Sequence, residues 1–318
     1  MVNLSEELPV FAVHHGNQRY MRYAILQAAG SNKVYLIGDE SNLKLGDVPN
    51  VTWNASSGLL SEDLVQFRNR YVHMSSNSYT YELTCFERHF YIYTLARQLQ
   101  INQFAMIDSD LLLYGKISDL LSAAGIGSGS EETFDAALCW DERQGEMDWA
   151  CSPHFSVWTT DALKDFLDYT LTLYSDQVLL TQKWNWHISG RIPGGICDMT
   201  ALYLWMQNAD RKILNLTPYD VPYGFDYSLI QRAEICPYQK DKGIEKIEFR
   251  DGFPYFTSKG QGTLIRALTI HAQADSKKYM GMLYRGRNQA VEKAFLDFLD
   301  YFYKAKLLLQ KWRQQRKS

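Results

Sequence analysis

Along the first third of the chain, short apolar runs alternate with amphipathic stretches. "VFAVHHG" (10–16) is an apolar run that closes on polar residues and glycine, which predicts a strand leading into a loop. "NQRYMRYAILQAAG" (17–30) sets Tyr20, Tyr23, Ala24, Gln27 and Ala28 at helical spacing and stops at Gly30, which predicts a helix. "KVYLIGDES" (33–41) predicts a second strand that delivers Asp39 at its end, and "VTWNAS" (51–56) a third. "TYELTCFERHFYIYTLARQLQ" (80–100) predicts a long helix with an apolar stripe through Leu83, Phe86, Phe90, Tyr93 and Leu99, feeding into an apolar strand at 104–107.

This alternation predicts an α/β fold, with a mostly parallel central sheet and helices on both faces. Further along, "FDAALCW" (134–140) and "FSVWTT" (155–160) predict two more strands. A helix is expected from Asp161, near its N-cap, to Tyr174, and another after the Gly/Pro loop of "ISGRIPGGICDMTALYLWMQ" (188–207), with Asp198 close to its start. "SAAGIGSGSEET" (122–133) is small and glycine-rich and predicts a mobile loop. Without repeats or a clear linker, one domain is expected over 1–287. The stretch 288–318 is set apart by Val291, Phe295, Phe298, Phe302, Ala305, Leu309 and Trp312, which recur at steps of three and four. Its last residues are rich in Lys and Arg. It reads either as an amphipathic helix docked on the domain or as a surface helix that touches anionic lipid.

The chemistry starts at "FAMIDSDLLLYG" (104–115). Asp108 and Asp110 stand between two apolar runs, where a carboxylate is unfavourable unless something offsets its desolvation. On an extended chain residues i and i+2 point to the same side, so the two can share one cation at the carboxyl end of a strand. His14 to Asn17 and Asp39 also fall at predicted strand ends, and ligands of such sheets bind outside those ends. Three polar clusters are thus expected on one rim.

Composition adds mainly exclusions. The 318 residues carry a formal net charge of −3 and a pI near 6.2, which gives no reason to expect nucleic acid as a partner. The five cysteines show no CxxC spacing, so reduced thiols are expected rather than a disulfide framework or a zinc site. The first residues lack a basic segment followed by a long apolar one, so no signal peptide is read there and a cytoplasmic setting is expected. No apolar run is long enough to span a membrane. The aromatic content of 14% suits either a sugar- and base-binding cleft or a core.

The D-x-D between an apolar strand and a second apolar run resembles the metal-binding motif of GT-A (Rossmann-like) glycosyltransferases. The later "GGICDMTAL" and "HAQADSK" make the order of elements similar to glycosyltransferase family 8 and related retaining enzymes, over roughly residues 8 to 285. The resemblance implies that Asp108, Asp110 and His271 hold the metal, that Lys277 contacts phosphate, and that Asp198 faces the donor sugar. Ala274 stands where the late motif has glycine, Met199 where glutamine usually follows the aspartate, and Tyr279 does not reproduce the usual Pro-Trp after the lysine. The implied cofactors are Mn²⁺ or Mg²⁺ and a nucleotide-sugar donor, a UDP-sugar before a GDP-sugar, with a glycan or lipid-linked acceptor and retention. Two carboxylates with one imidazole suit Mn²⁺ on chemical grounds as well.

Other candidates are weaker. Arg88 is either a donor contact or one partner in a surface pair with Glu87 or Glu82. His14 and His15 are at best donor-pocket walls, Asn17 of the same strand-end cluster is a donor-binding candidate, and Asp39 is a contact for nucleobase or ribose or else a turn residue. "CWDERQGEMDW" (139–149) offers Asp141, Glu142 and Asp148 beside two tryptophans, with Asp141 a second candidate for catalysis at a sugar acceptor. Competing readings are a non-catalytic nucleotide- or glycan-binding scaffold and a sugar nucleotidyltransferase. The glycine-rich loop that a nucleotidyltransferase or a dinucleotide-binding enzyme needs after its first strand is absent from "VHHGNQRY".

Overall fold

The structure is a computed structural model, and it describes residues 1–4, 6–126, 133–217, 223–225, 228–230, 236–241, 243–286 and 294. The expected strands form as β1 (Val10–His14), β2 (Val34–Gly38), β3 (Val51–Ala55) and β4 (Gln103–Ile107), with β5 (Leu111–Leu113) directly after the D-x-D. They are followed by β6 (Ala136–Trp140), β7 (Cys151–Thr159) and β8 (Ile213–Asn215). Among the described residues the central sheet has the order β3-β2-β1-β4-β7-β6-β8. All of its pairings are parallel except the two that β7 makes, with β4 and β6. The sheet is therefore mostly parallel with one reversed strand, as the alternation of elements predicts.

Helices cover both faces. They are α1 (Arg19–Ala29), α2 (Glu62–Arg70), α3 (Tyr79–Gln98), α4 (Ile117–Ala123), α5 (Thr160–Leu173), α6 (Val178–Gly190), α7 (Asp198–Asn208) and the single turn α8 (Met280–Leu283). The strand period of two assigns the faces. Val10 and Ala12 of β1 pack with Met21 and Ile25 of α1 and Ile117 of α4, whereas Phe11 packs with Phe90 of α3 and with Phe104 and Met106 of β4. Much of the aromatic content is core. The Phe67 ring lies 5.2 Å from Phe86, 5.3 Å from Phe90 and 5.2 Å from Tyr174, and Trp158 stacks on Trp205 at 5.4 Å.

Two details differ from the sequence expectation. Thr159, not Asp161, caps α5, its side chain accepting from Ala162 N–H at 3.1 Å, while Asp161 sits in the first turn. The stripe on α3 does not extend to Leu99, which lies past the helix end and is exposed. Instead the middle of α3 is buried nearly all round, because it packs between the sheet and α2, α5 and α7. The five cysteines are free thiols, as expected. No helix among the described residues is long and apolar enough to cross a membrane. Residues 127–132 of the expected loop, and all of 288–318 but Ala294, lie outside the described residues.

A second sheet is built after α7. It contains β12 (Ile247–Arg250), β13 (Phe253–Thr257) and β14 (Leu264–His271), with β9 (Tyr223–Phe225) paired to β14, while β10 (Lys240–Asp241) and β11 (Ile244–Glu245) form a separate pair. β12 and β13 are joined by Asp251-Gly252, with φ of 49° and 82°, the left-handed pair that tight hairpins use. β14 runs antiparallel to β5, with His271 opposite Leu111. The chain therefore crosses from one sheet to the other through residues 108–110. That crossing is where the site forms.

Candidate active site

Sheet pairing brings the D-x-D and His271 together. Asp108 N–H donates to the His154 carbonyl of β7 at 2.8 Å, and Leu111 N–H to the Asp108 carbonyl at 3.1 Å, which holds the two residues after Asp108 in a tight turn. On the other side Ala272 N–H donates to the Asp110 carbonyl at 2.9 Å. One ligand atom each from Asp108, Asp110 and His271 then lie within 4.8 Å of one another, close enough to share an ion. The His271 ring is stacked on the buried ring of His154, centroids 4.4 Å apart and 3° from parallel, so its plane is set by packing. Nothing in the linear pattern marked His154.

The two carboxylates differ. Burial is the main influence on Asp108 and raises its pKa, with Arg88 pulling the other way to a smaller extent. Burial also opposes charge on Asp110, but the His271 hydrogen bond and the charges of His271 and Lys277 outweigh it and hold Asp110 well below the usual carboxylate range. Lys277 Nζ lies 3.1 Å from Asp110 and 4.7 Å from the centre of the Tyr20 ring. His271 and Lys277 thus both reach Asp110. Ala274 has a φ of +49°, in the left-handed region that glycine adopts without steric cost.

Asp198 begins α7 and is buried, its side chain 3% exposed. Arg88 reaches it from α3, donating to Asp198 Oδ2 from Nη2 at 2.5 Å and from Nε at 3.1 Å, while Nη1 donates to Asp108 Oδ1. His89 Nε2 is 3.2 Å from the same Asp198 oxygen. Burial would raise the Asp198 pKa, but Arg88 and the His89 hydrogen bond outweigh it and keep it below the ordinary value. Arg88 is thus neither paired with Glu87 nor with Glu82. Glu87 binds Arg68, and Glu82 accepts from Ser75 and Asn77, both at 2.7 Å. The surface-pair reading fails because the partners of Arg88 are 20 and 110 positions away, where the fold places them.

The approach to Asp198 is sterically defined. Gly195 pairs with Ser75, and a Cβ on it would come within 2.3 Å of the Met74 carbonyl oxygen and 2.4 Å of Ser75 Cα. Only glycine allows this close approach, which delivers Asp198 to Arg88.

The remaining candidates divide. His14 lies at the end of β1 and bridges Ser109 Oγ (2.8 Å) and Gln18 Oε1 (2.5 Å), so it touches the middle of the D-x-D; burial lowers its pKa. Asn17 Oδ1 accepts from Arg22 Nε at 2.8 Å, and its Nδ2 is buried without a partner among the described residues. Asp39 caps the helical turn after β2, accepting from Ser41 N–H and Gly16 N–H, each at 2.8 Å. That is the turn role, though it also ties the loop after β1 to the end of β2. Asp141 is not drawn into the cluster. It follows β6 and forms a local turn, accepting from Arg143 N–H at 2.9 Å and Nε at 3.0 Å. Glu142 accepts from Asn215 Nδ2 of β8 at 3.4 Å, and Asp148 from Gly145 N–H at 2.8 Å within the same loop.

No family model and no curated protein matches the chain. Solved structures that align with it include mouse xyloside xylosyltransferase 1, at 12% identity and a TM-score of 0.39 over 69% of this chain and 88% of that one. A glycosyltransferase involved in the glycosylation of the major capsid of PBCV-1 aligns at 12% identity and a TM-score of 0.43, over 87% of this chain and 99% of that one. The WbbM bifunctional glycosyltransferase aligns at 11% identity and a TM-score of 0.37, over 68% of this chain and 40% of that one.

Proposed function

We propose that the protein is a metal-dependent glycosyltransferase. It moves a sugar from a nucleotide-diphosphate donor, a UDP-sugar before a GDP-sugar, to a carbohydrate or lipid-linked acceptor with retention. The observation that carries this reading is the convergence of Asp108, Asp110, His271, Lys277, Arg88 and Asp198 at the carboxyl ends of the central strands.

The donor set fits a divalent ion. Asp108, Asp110 and His271 supply two hard oxygens and one imidazole, a combination suited to Mn²⁺, with Mg²⁺ accepted where water completes the shell. When bound, the ion supplies Lewis-acid neutralisation of the charge that develops on a diphosphate leaving group. Without it Asp108, Asp110 and Asp198 are balanced only by Arg88, Lys277 and His271.

The protein's own residues have separable tasks. Lys277 is a positive point charge beside Asp110, placed to meet a phosphate oxygen. His14, Asn17 and Asp39 form the wall on the β1–β2 side, where the nucleoside would lie. Arg88 spans the metal-binding carboxylate Asp108 and Asp198, so one cation orients the groups on both sides of the bond to be broken. Asp198 is held ionised, and a carboxylate with a lowered pKa is a poor general base. It suits instead the stabilisation of positive charge developing on the sugar, the role a retaining reaction requires. Asp141 accepts hydrogen bonds from Arg143 in its own turn, which makes Asp198 the preferred catalytic carboxylate.

Calorimetric titration with UDP and with GDP, each with and without Mn²⁺, tests the binding half of this reading. NMR of the anomeric configuration of the product tests retention; an inverted product would return Asp198 to the role of base.

A further inference from the structure

We infer that His89 is a positioning residue for Asp198, fixing which oxygen of that carboxylate is presented to the donor sugar. The inference rests on the glycosyltransferase reading above and adds to it a residue that has no place in the D-x-D or the late motif. Every bond described at the Asp198 side chain ends on Oδ2: two from Arg88 and one from His89. Oδ1 takes none of them. A carboxylate loaded in this way is asymmetric, with one oxygen held by protein donors and the other left for substrate.

The state of the His89 ring follows from its surroundings. Asp198 is ionised and accepts only, so His89 Nε2 must carry the proton and donate. Burial lowers the His89 pKa, and with the Arg88 charge it outweighs the opposing hydrogen bond to Asp198, so at neutral pH the ring is neutral and Nδ1 bears a lone pair. Nδ1 is buried and has no partner among the described residues. The ring meets Phe166 edge to face, centroids 5.1 Å apart. A leucine would fill this 1% exposed position without leaving a buried acceptor unsatisfied. The imidazole accepts that cost for a single bond, the one to Asp198.

The geometry also separates the two donors. Arg88 is shared with Asp108 and so responds to what binds the D-x-D, whereas His89 touches Asp198 alone at this cluster. His89 is therefore the donor to Oδ2 that serves no second carboxylate of the cluster.

The test uses the full chain with His89→Gln and His89→Leu. Glutamine keeps an N–H donor near the position of Nε2; leucine keeps the volume and removes the donor. Long-range ¹H–¹⁵N NMR of the wild type, with the His89 signals assigned by their loss in His89→Gln, should show a neutral ring protonated on Nε2. UDP affinity in Mn²⁺ should be unchanged in both variants. Turnover of the sugar nucleotide that the wild type hydrolyses should fall about 10- to 100-fold in His89→Leu, in kcat rather than KM, and recover to within about threefold in His89→Gln. An Nδ1-protonated ring, full turnover in His89→Leu, or a His89→Gln variant no better than His89→Leu overturns the inference, with metal-dependent UDP binding intact. Loss of metal-dependent nucleotide binding in the wild type itself would overturn the glycosyltransferase reading, and this inference with it.

Discussion

Arg88 and Asp198 are separated by 110 positions in the chain and meet through two hydrogen bonds to one carboxylate oxygen, the shorter 2.5 Å. Both are largely buried, at 15% and 3% side-chain exposure. Removing one partner of such a pair leaves an uncompensated buried charge, worth about 3–5 kcal/mol. Arg88→Ala is therefore expected to unfold at markedly lower denaturant, and to lose turnover even at temperatures where it is folded. Arg88→Lys should retain most of the stability and little of the activity, since one ammonium cannot span Asp108 and Asp198. Urea denaturation beside turnover measurements checks both parts.

The aromatic core predicts a purely structural loss. Phe67 is fully buried and in ring contact with Phe86, Phe90 and Tyr174. Phe67→Ala should cost about 3–5 kcal/mol of folding stability while leaving UDP affinity of the folded fraction unchanged. A drop in affinity at full folding would mean that this face of α3 is coupled to the site.

Ala274 offers a gain. An L-residue in the left-handed region costs roughly 1–2 kcal/mol, and glycine gives back roughly 0.5–1 of this through its greater freedom in the unfolded chain. Ala274→Gly should thus raise stability by up to about 1 kcal/mol, read as a higher melting temperature, with metal binding unchanged.

The sequence carried the rim of this site well and its interior less well. Asp108 and Asp110 stood out because carboxylates between apolar runs need a reason, and the β1, β2 and β4 ends fell where the alternation put them. His271 followed only from the resemblance, since its approach to Asp110 depends on β14 pairing with β5, a contact between segments more than 150 positions apart. The second sheet was legible in one feature that went unread, the Asp251-Gly252 turn between two alternating runs. Helices α2 and α6 carry weaker patterns: α2 is half solvated, and α6 shows exposed Val178, Leu179 and Ile188. Arg88 was visible as a basic residue on the right helix. Its partners were sought among neighbours on that helix, and tertiary geometry, which local spacing does not encode, supplied distant ones. His89 could have been found from the same doublet, because consecutive helix residues can both reach a group lying over that helix.

A pH prediction follows from the buried histidines. His89 and His14 both have pKa values below the ordinary 6.5, through burial. Their neutral forms are favoured by folding, so this contribution is full above the unfolded pKa. As pH falls below about 6.5 the unfolded chain binds the protons first, and stability declines by up to about 1.4 kcal/mol per pH unit for each such histidine. His89→Leu should show a shallower decline between pH 6.5 and 5.5 than the wild type. Parallel slopes would mean that His89 is not neutral in the fold.

Asp108, Asp110 and His271 are expected to bind a divalent ion on which nucleotide-diphosphate binding depends. Isothermal titration of UDP into the full chain in Mn²⁺, repeated in excess chelator and with Asp110→Ala, measures this directly. Clear binding is expected in Mn²⁺, weakened at least about tenfold, or about 1.4 kcal/mol, both by chelator and by the substitution. Equal affinity in Mn²⁺ and in chelator, or an Asp110→Ala variant that binds as the wild type does, would contradict it.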